Sequence, residues 1–335
     1  MKPIRLRLQK RFVSMLIASF AIPAAIFGLW SCSGKVESIS IGMESTAVNS
    51  LIYIAADRDY FSSNGLSVTI KDYASGLAAV NGMLRGEVDI ATASEFVIVG
   101  KALAKESIVT FGSIDRFLHN YVVARKDRGV QNIPDLKGKR IGVPLKTAAE
   151  FYLGRFLELR GMTIKQVALV NMSPSGSMEA LLKGEVDAVV LWQPSVKAIE
   201  DRLGNGIVKW PAQNEQATYC SVISTGDWAA KHPDLARRFL NSLAQAEEYF
   251  IRHPAEAKAF MQRRLQYDDA YIAMIWPEHQ FSLSLDQSLV LAMEDEARWM
   301  IKNGLTTETQ VPDFMDTICE EGLKAIRPEV VNVIR

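Results

Sequence analysis

The chain has only three cysteines in 335 residues, Cys32, Cys220 and Cys319, and no Cys-x-x-Cys pair. That excludes a disulfide-built scaffold and a dithiol redox centre. It has four histidines, His119, His232, His253 and His279, in four separate segments without metal-ligand spacing. No metal site is therefore expected, and no cofactor motif is present. A Gly-x-Ser-x-Gly elbow and a phosphate-binding loop are both missing, which leaves hydrolases and nucleotide enzymes without support. Charge of one sign is missing too, with 38 basic against 38 acidic residues, so no basic patch points to nucleic acid. Low-complexity segments and flexible linkers are also absent.

The first 31 residues differ from the rest. No acidic residue precedes Glu37, while Lys2, Arg5, Arg7, Lys10 and Arg11 precede a mostly apolar run from Phe12 to Trp30. This is the anatomy of a secretory leader. Leu29 and Ser31 stand before Cys32 as in bacterial lipoprotein cleavage sites, so residues 1–31 are expected to be removed and Cys32 lipidated. A cleaved soluble protein and a retained anchor helix are the alternatives. All three place the body outside the cytoplasm, in the periplasm or on the outer face of the cell membrane. Removing the five basic residues of the leader leaves 33 basic against 38 acidic groups, a net −5. Cys220 and Cys319 then remain, and sequence leaves their pairing open.

What is present is a repeat. Met83-Leu84-Arg85-Gly86-Glu87-Val88-Asp89-Ile90-Ala91 recurs 98 residues later as Leu181-Leu182-Lys183-Gly184-Glu185-Val186-Asp187-Ala188-Val189. Each copy reads as a helix stopped by glycine and followed by a strand. Ser75-Gly76 starts the first helix, and Ser175-Gly176 is taken to start the second. Strands at 38–43, 67–70, 88–92 and 109–113 alternate with helices at 49–60, 77–85 and 95–105. The same alternation resumes after a crossing strand at 121–125, with strands 140–143, 167–170 and 188–192. It reads as α/β units with mostly parallel sheets. A return crossing near 219–224 leads to helices at 233–252, 255–265, 268–275 and 286–302, stopped once at Trp276-Pro277. The expected fold is two α/β lobes: residues 35–120 with 220–335, and residues 121–219. Two crossing strands join them, and the helical C-terminal tail packs on lobe one. A monomer is expected.

The series Asp135-Leu136-Lys137-Gly138-Lys139-Arg140-Ile141-Gly142-Val143-Pro144, Phe151-Tyr152-Leu153, Gly184-Glu185-Val186-Asp187-Ala188 and Trp192-Gln193-Pro194 resembles the nitrate/sulfonate/taurine-type substrate-binding proteins of ABC importers. Ile54-Ala55, Phe61 and Gly65-Leu66 match the first helix and turn of that family, which also includes thiamine-pyrimidine-precursor-like members. The resemblance spans about 38–225. It implies a periplasmic-binding-protein-like fold that holds a small solute between its lobes and delivers it to an ABC permease with its ATPase. A ligand-sensing protein for a membrane receptor and a thiamine-pyrimidine-synthesis-like enzyme are the alternatives. Where the family often has Gly before a pocket Ser or Thr, this chain has Lys146 before Thr147.

Ligands in α/β lobes sit beyond the C-terminal ends of strands, beside helix N-termini. That rule selects Glu44, Ser45, Ser75, Gly76, Ser94, Glu95, Asp115, Thr147, Glu150, Trp192 and Gln193. Trp192 is the expected flat wall of the site. Helix N-termini favour anions, and Arg116 and Lys146 lie nearby. The four carboxylates Glu44, Glu95, Asp115 and Glu150 instead favour an amine or a nitrogen heterocycle, and the balance falls towards organic nitrogen.

Overall fold

A computed structural model describes residues 36–213 and 216–334. The leader and the lipidation site Cys32 lie outside these residues. Lobe one opens with β1 (Glu37–Met43), α1 (Ser50–Asp57), α2 (Tyr60–Ser63), β2 (Leu66–Asp72), α3 (Gly76–Leu84), β3 (Ile90–Ser94), α4 (Glu95–Leu103) and β4 (Ile108–Phe117). The single helix expected over 49–60 is broken, because Asp59 takes a left-handed φ of 57° between α1 and α2. Lobe two follows with β5 (Asn120–Arg125), β6 (Arg140–Val143), α5 (Ala148–Glu158), β7 (Ala168–Asn171), α6 (Pro174–Lys183), β8 (Ala188–Trp192), α7 (Ser195–Leu203) and β9 (Ile207–Pro211). The chain then returns through β10 (Thr218–Thr225) to α8 (Gly226–Lys231), α9 (Pro233–Arg252), α10 (Pro254–Leu265), α11 (Asp269–Ile275), β11 (His279–Gln280), α12 (Gln287–Asn303) and α13 (Glu321–Ile326).

The strands form two sheets, ordered β11-β4-β10-β3-β1-β2 and β7-β6-β8-β5-β9. Each contains a parallel trio, β2-β1-β3 or β7-β6-β8, followed by an antiparallel strand. That antiparallel strand, β10 or β5, arrives in each case from the other lobe. The sheets are mixed where the chain crosses.

The repeat has a physical basis. In both copies the glycine takes φ +74°, and the next N–H reaches back five residues: Glu87 to Gly82 O at 3.0 Å, Glu185 to Ala180 O at 2.8 Å. This closes the helix C-terminus. The following valine is buried, and the aspartate fastens the strand alongside. Asp89 Oδ2 accepts from Ser40 N at 2.7 Å, and Asp187 Oδ2 accepts from Arg140 N at 2.8 Å. The second helix, however, starts earlier than expected. Its cap is Ser173, whose hydroxyl accepts from Gly176 N, with Pro174 as the first helical residue. Ser173, and not Ser175, is therefore the 98-residue counterpart of Ser75.

Gln213 ties the two crossings together. Its Oε1 accepts from Asn120 N at 2.9 Å, and its Nε2 donates to Phe117 O and Thr218 Oγ1 at 3.1 Å. The tail packs on lobe one, with Phe61 stacked on Phe239 at 5.5 Å and α12 beside α4. It also reaches lobe two, which the sequence did not foretell. Trp299 packs edge-on against Phe151, and Gly154 leaves it room: a Cβ there would lie 2.0 Å from the indole. Lys302 Nζ adds an ion pair with Glu158 at 3.0 Å. Cys220 and Cys319 are both free thiols.

Candidate functional site

A cavity lies where the strand ends of the two lobes face each other. From lobe one come Glu44 and Thr46 after β1, Ser75 and Gly76 at the start of α3, and Thr92 to Ser94 at the end of β3. From lobe two come Thr147 and Ala148 at the start of α5 and Trp192 at the end of β8. The crossings supply Phe117, His119, Asn120, Thr218 and Cys220. The space measures about 580 Å³ including its mouth. The lobes are closed on one another, and the Trp192 indole N–H donates across the gap to Glu44 Oε1 at 3.0 Å.

Local geometry explains each position. Ser75 Oγ accepts from Ala78 N at 3.2 Å and so caps α3. Gly76 is pressed against β3, where a Cβ would come within 2.9 Å of Ala93 Cα. Thr147 donates to Pro144 O at 2.7 Å, and Asn49 donates to Glu44 O at 2.8 Å. The first-turn N–H groups of α3 and α5 have no acceptor within their own helices.

Among the described residues the cavity's only carboxylate is Glu44, and neither Lys nor Arg lines it. Burial raises the Glu44 pKa from 4.5 to about 7, against the opposing bond from Trp192. His119 is buried, with its Nδ1 unpartnered among the described residues. Its ring stacks on Phe117 at 4.1 Å. Burial first, and the nearby His279 second, push its pKa well below the ordinary range, so it presents a neutral imidazole. Burial also drives the Cys220 thiol well above its usual range, which makes it a poor nucleophile.

Of the residues expected from sequence, Glu44, Ser75, Gly76, Ser94, Thr147 and Trp192 come together around this cavity. Ser45, Glu95, Asp115, Glu150 and Gln193 do not line it. Ser45 is exposed and donates to Asp72 Oδ1 at 2.6 Å. Glu95 points into the core, where Oε2 accepts from Tyr219 N at 3.0 Å. Burial raises its pKa to about 8, and the buried Glu296 of α12 is its electrostatic neighbour. Asp115 is buried against His279 Nδ1 at 2.6 Å and lifted by burial to about 6. Glu150 accepts from Lys146 N at 2.6 Å, holding Lys146 in a left-handed turn at φ 63°. That is a backbone shape a glycine would take without strain, and it accounts for the Lys in the place where the resemblance led us to expect Gly. Gln193 Oε1 accepts from Lys197 N at 3.1 Å. Neither cation named beforehand lines the cavity, and the Arg116 guanidinium sits over the Tyr219 ring at 5.0 Å.

Asn49, Thr92, His119, Asn120, Thr218 and Cys220 were missed. The strand-end rule follows parallel strands and overlooks the crossings, where most of the missed residues sit. Among the described residues no cluster of three or more His, Cys, Asp or Glu is placed to hold a metal. No helix among them is long and apolar enough to cross a membrane.

Comparison with known proteins agrees with this geometry. Residues 47–257 match the family model described as NMT1/THI5 like, and the chain belongs to that family. It is 25% identical over 204 residues to the taurine-binding periplasmic protein of Escherichia coli, covering 59% of this chain and 62% of the relative. The fold matches the alkanesulfonate-binding protein SsuA of Xanthomonas axonopodis bound to MOPS, with a TM-score of 0.75 at 16% identity over 86% of this chain and all of that one. The desulfurization enzyme DszB shares the fold as well, with a TM-score of 0.62 at 15% identity over 86% of this chain and 98% of that one. The periplasmic-binding-protein fold is thus shared by binding proteins and an enzyme.

Proposed function

We propose that this member of the NMT1/THI5-like family is the extracytoplasmic solute-binding protein of an ABC importer, anchored through lipid on Cys32. It captures a small organic nitrogen compound between its lobes and passes it to the permease. The observation that carries the choice of solute is the cavity's charge among the described residues: one carboxylate, Glu44, and no Lys or Arg. A buried carboxylate facing a partly desolvated space repels an anion and gains from an ammonium or an N–H donor. The neutral His119 and the uncharged Asn49, Asn120 and Thr218 add hydrogen-bonding capacity without charge. A sulfonate or nitrate-type anion is the second reading, because the first-turn N–H groups of α3 and α5 suit one.

Capture follows from the two-lobe plan. Solute contacts on both lobes exist together only when the cleft is shut, so binding draws the chain towards the closed form. Rotation takes place about the crossing strands near 119–125 and 217–224, and the permease reads the closed shape. The role is non-catalytic. A thermal-shift screen of the full-length chain in mild detergent tests it, with one set of nitrate, taurine and alkyl sulfonates and another of amines, pyrimidines and other nitrogen heterocycles. A ligand bound only by the folded state raises Tm by mass action. A rise with the second set, lost in Glu44→Gln, is expected. A rise with anions alone gives the site to the second reading, and no rise with either set contradicts solute capture.

A further inference from the structure

A second, much larger cavity borders the first. Its wall combines Phe96 and Gly100 of α4, Leu145 of lobe two, and Met300 and Leu305 at the end of α12. It measures about 1300 Å³ including its mouth, against about 580 Å³ for the inner cavity. The two share Leu77 and Val97 as a common wall. A solute too long for the inner cavity has to extend past Leu77 and Val97.

The outer cavity is mostly apolar, and its charged groups are Lys101, Lys146 and Glu150. Glu150 is already committed to Lys146 N. The two ammonium groups repel a cationic head and leave it the inner position at Glu44. Their alkyl stems add apolar wall. We infer that the two cavities form one divided site for an elongated amphiphile, whose nitrogen head lies against Glu44 and whose apolar body runs outward between α4, Leu145 and the end of α12. This rests on the nitrogen-solute reading above and extends it to the shape of the solute. The wall is built from lobe one, lobe two and the tail together, so the body of the solute would also help hold the lobes shut.

The test is a calorimetric titration of the full-length chain with n-propylamine, n-pentylamine and n-heptylamine. Each buried methylene should tighten Kd by about three- to fourfold. Gly100→Trp should fill the outer cavity and flatten that series while leaving n-propylamine binding unchanged, since Gly100 has only Met300 within 4 Å of a new Cβ. Ala104→Trp, at the exposed end of the same wall, repeats the test if Gly100→Trp does not fold. A length-dependent Kd abolished by either plug establishes the divided site. If n-propylamine binds and the longer amines gain nothing, the inference is wrong and the nitrogen reading stands. If no amine binds at any length, the nitrogen reading fails and takes this inference with it.

Discussion

The two lobes share one framework and furnish it in opposite ways. Both carry the same parallel trio and the same aspartate staple, so their positions can be matched. Where Glu44 follows β1 of lobe one, Pro144 follows β6 of lobe two. Where α3 begins Ser75-Gly76, α6 begins Ser173-Pro174. Where β3 ends in Ser94, β8 ends in Trp192. Lobe one thus brings a carboxylate, a hydroxyl and a glycine helix start to the cavity. Lobe two brings the Trp192 indole and Thr147 at the start of α5, while Pro144 and Pro174, which carry no N–H, lie outside the cavity lining. Lobe one turns a carboxylate towards the cavity, and lobe two an aromatic wall.

Gly154→Leu should produce the largest effect. The new side chain meets Trp299 at 2.0 Å from its first carbon and expels the tail from lobe two. A cost of about 3 kcal/mol or more is expected, read as a loss of soluble protein or a sharp fall in urea midpoint. Unchanged stability would mean that α12 does not strap the lobes.

Gly76→Ala and Pro174→Ala probe matched helix starts. The first pushes a methyl into the backbone of β3 and should cost about 1–3 kcal/mol together with solute affinity. The second, away from the cavity, should shift stability by less than about 1 kcal/mol and leave binding alone. Equal effects on binding would remove the division of labour between the lobes.

The two carboxylates Glu44 and Glu95 sharpen the comparison within lobe one. Both have pKa values above 4.5, at about 7 and about 8, so the folded chain holds protons that the unfolded chain has released. Stability therefore falls as pH rises, from about 4.5 to about 7 for Glu44 and on to about 8 for Glu95. Glu95→Gln should flatten a Tm-versus-pH profile all the way up to about pH 8, and Glu44→Gln only its part below about 7. A profile that rises across this window would contradict both burial assignments. Ser45→Ala should do least. It loses an exposed bond to Asp72 and a long one from the Tyr53 hydroxyl, together worth about 1 kcal/mol, and should not alter solute binding, which calorimetry would show.

Most of the scaffold was legible in the sequence because periodicity and stop signals report backbone shape directly. The repeat, both crossing strands and the tail helix 233–252 all rest on such local marks. The site was only partly legible. Glu44, Ser75 and Trp192 follow from strand-end position, yet Glu95 and Glu150 occupy equally promising positions and turn away, one into the core and one onto the neighbouring backbone. First-turn position does not fix which way a side chain points. His119 and Thr218 stayed hidden because they belong to crossings, where no periodic pattern marks the face turned to the cavity. The Trp299–Gly154 contact joins positions 145 residues apart, and its only local mark is a glycine inside a helix.

The central claim is that the cavity carboxylate, and not the core one, holds the solute. The most direct measurement is Kd by calorimetry at pH 8 for the best-bound amine of the screen, on the original chain, Glu44→Gln and Glu95→Gln. The account predicts a loss of about 30-fold or more in Glu44→Gln, as for removing one partner of a buried charge-assisted bond, with Glu95→Gln staying close to the original affinity. Unchanged affinity in Glu44→Gln, or an equal loss in both, would contradict it.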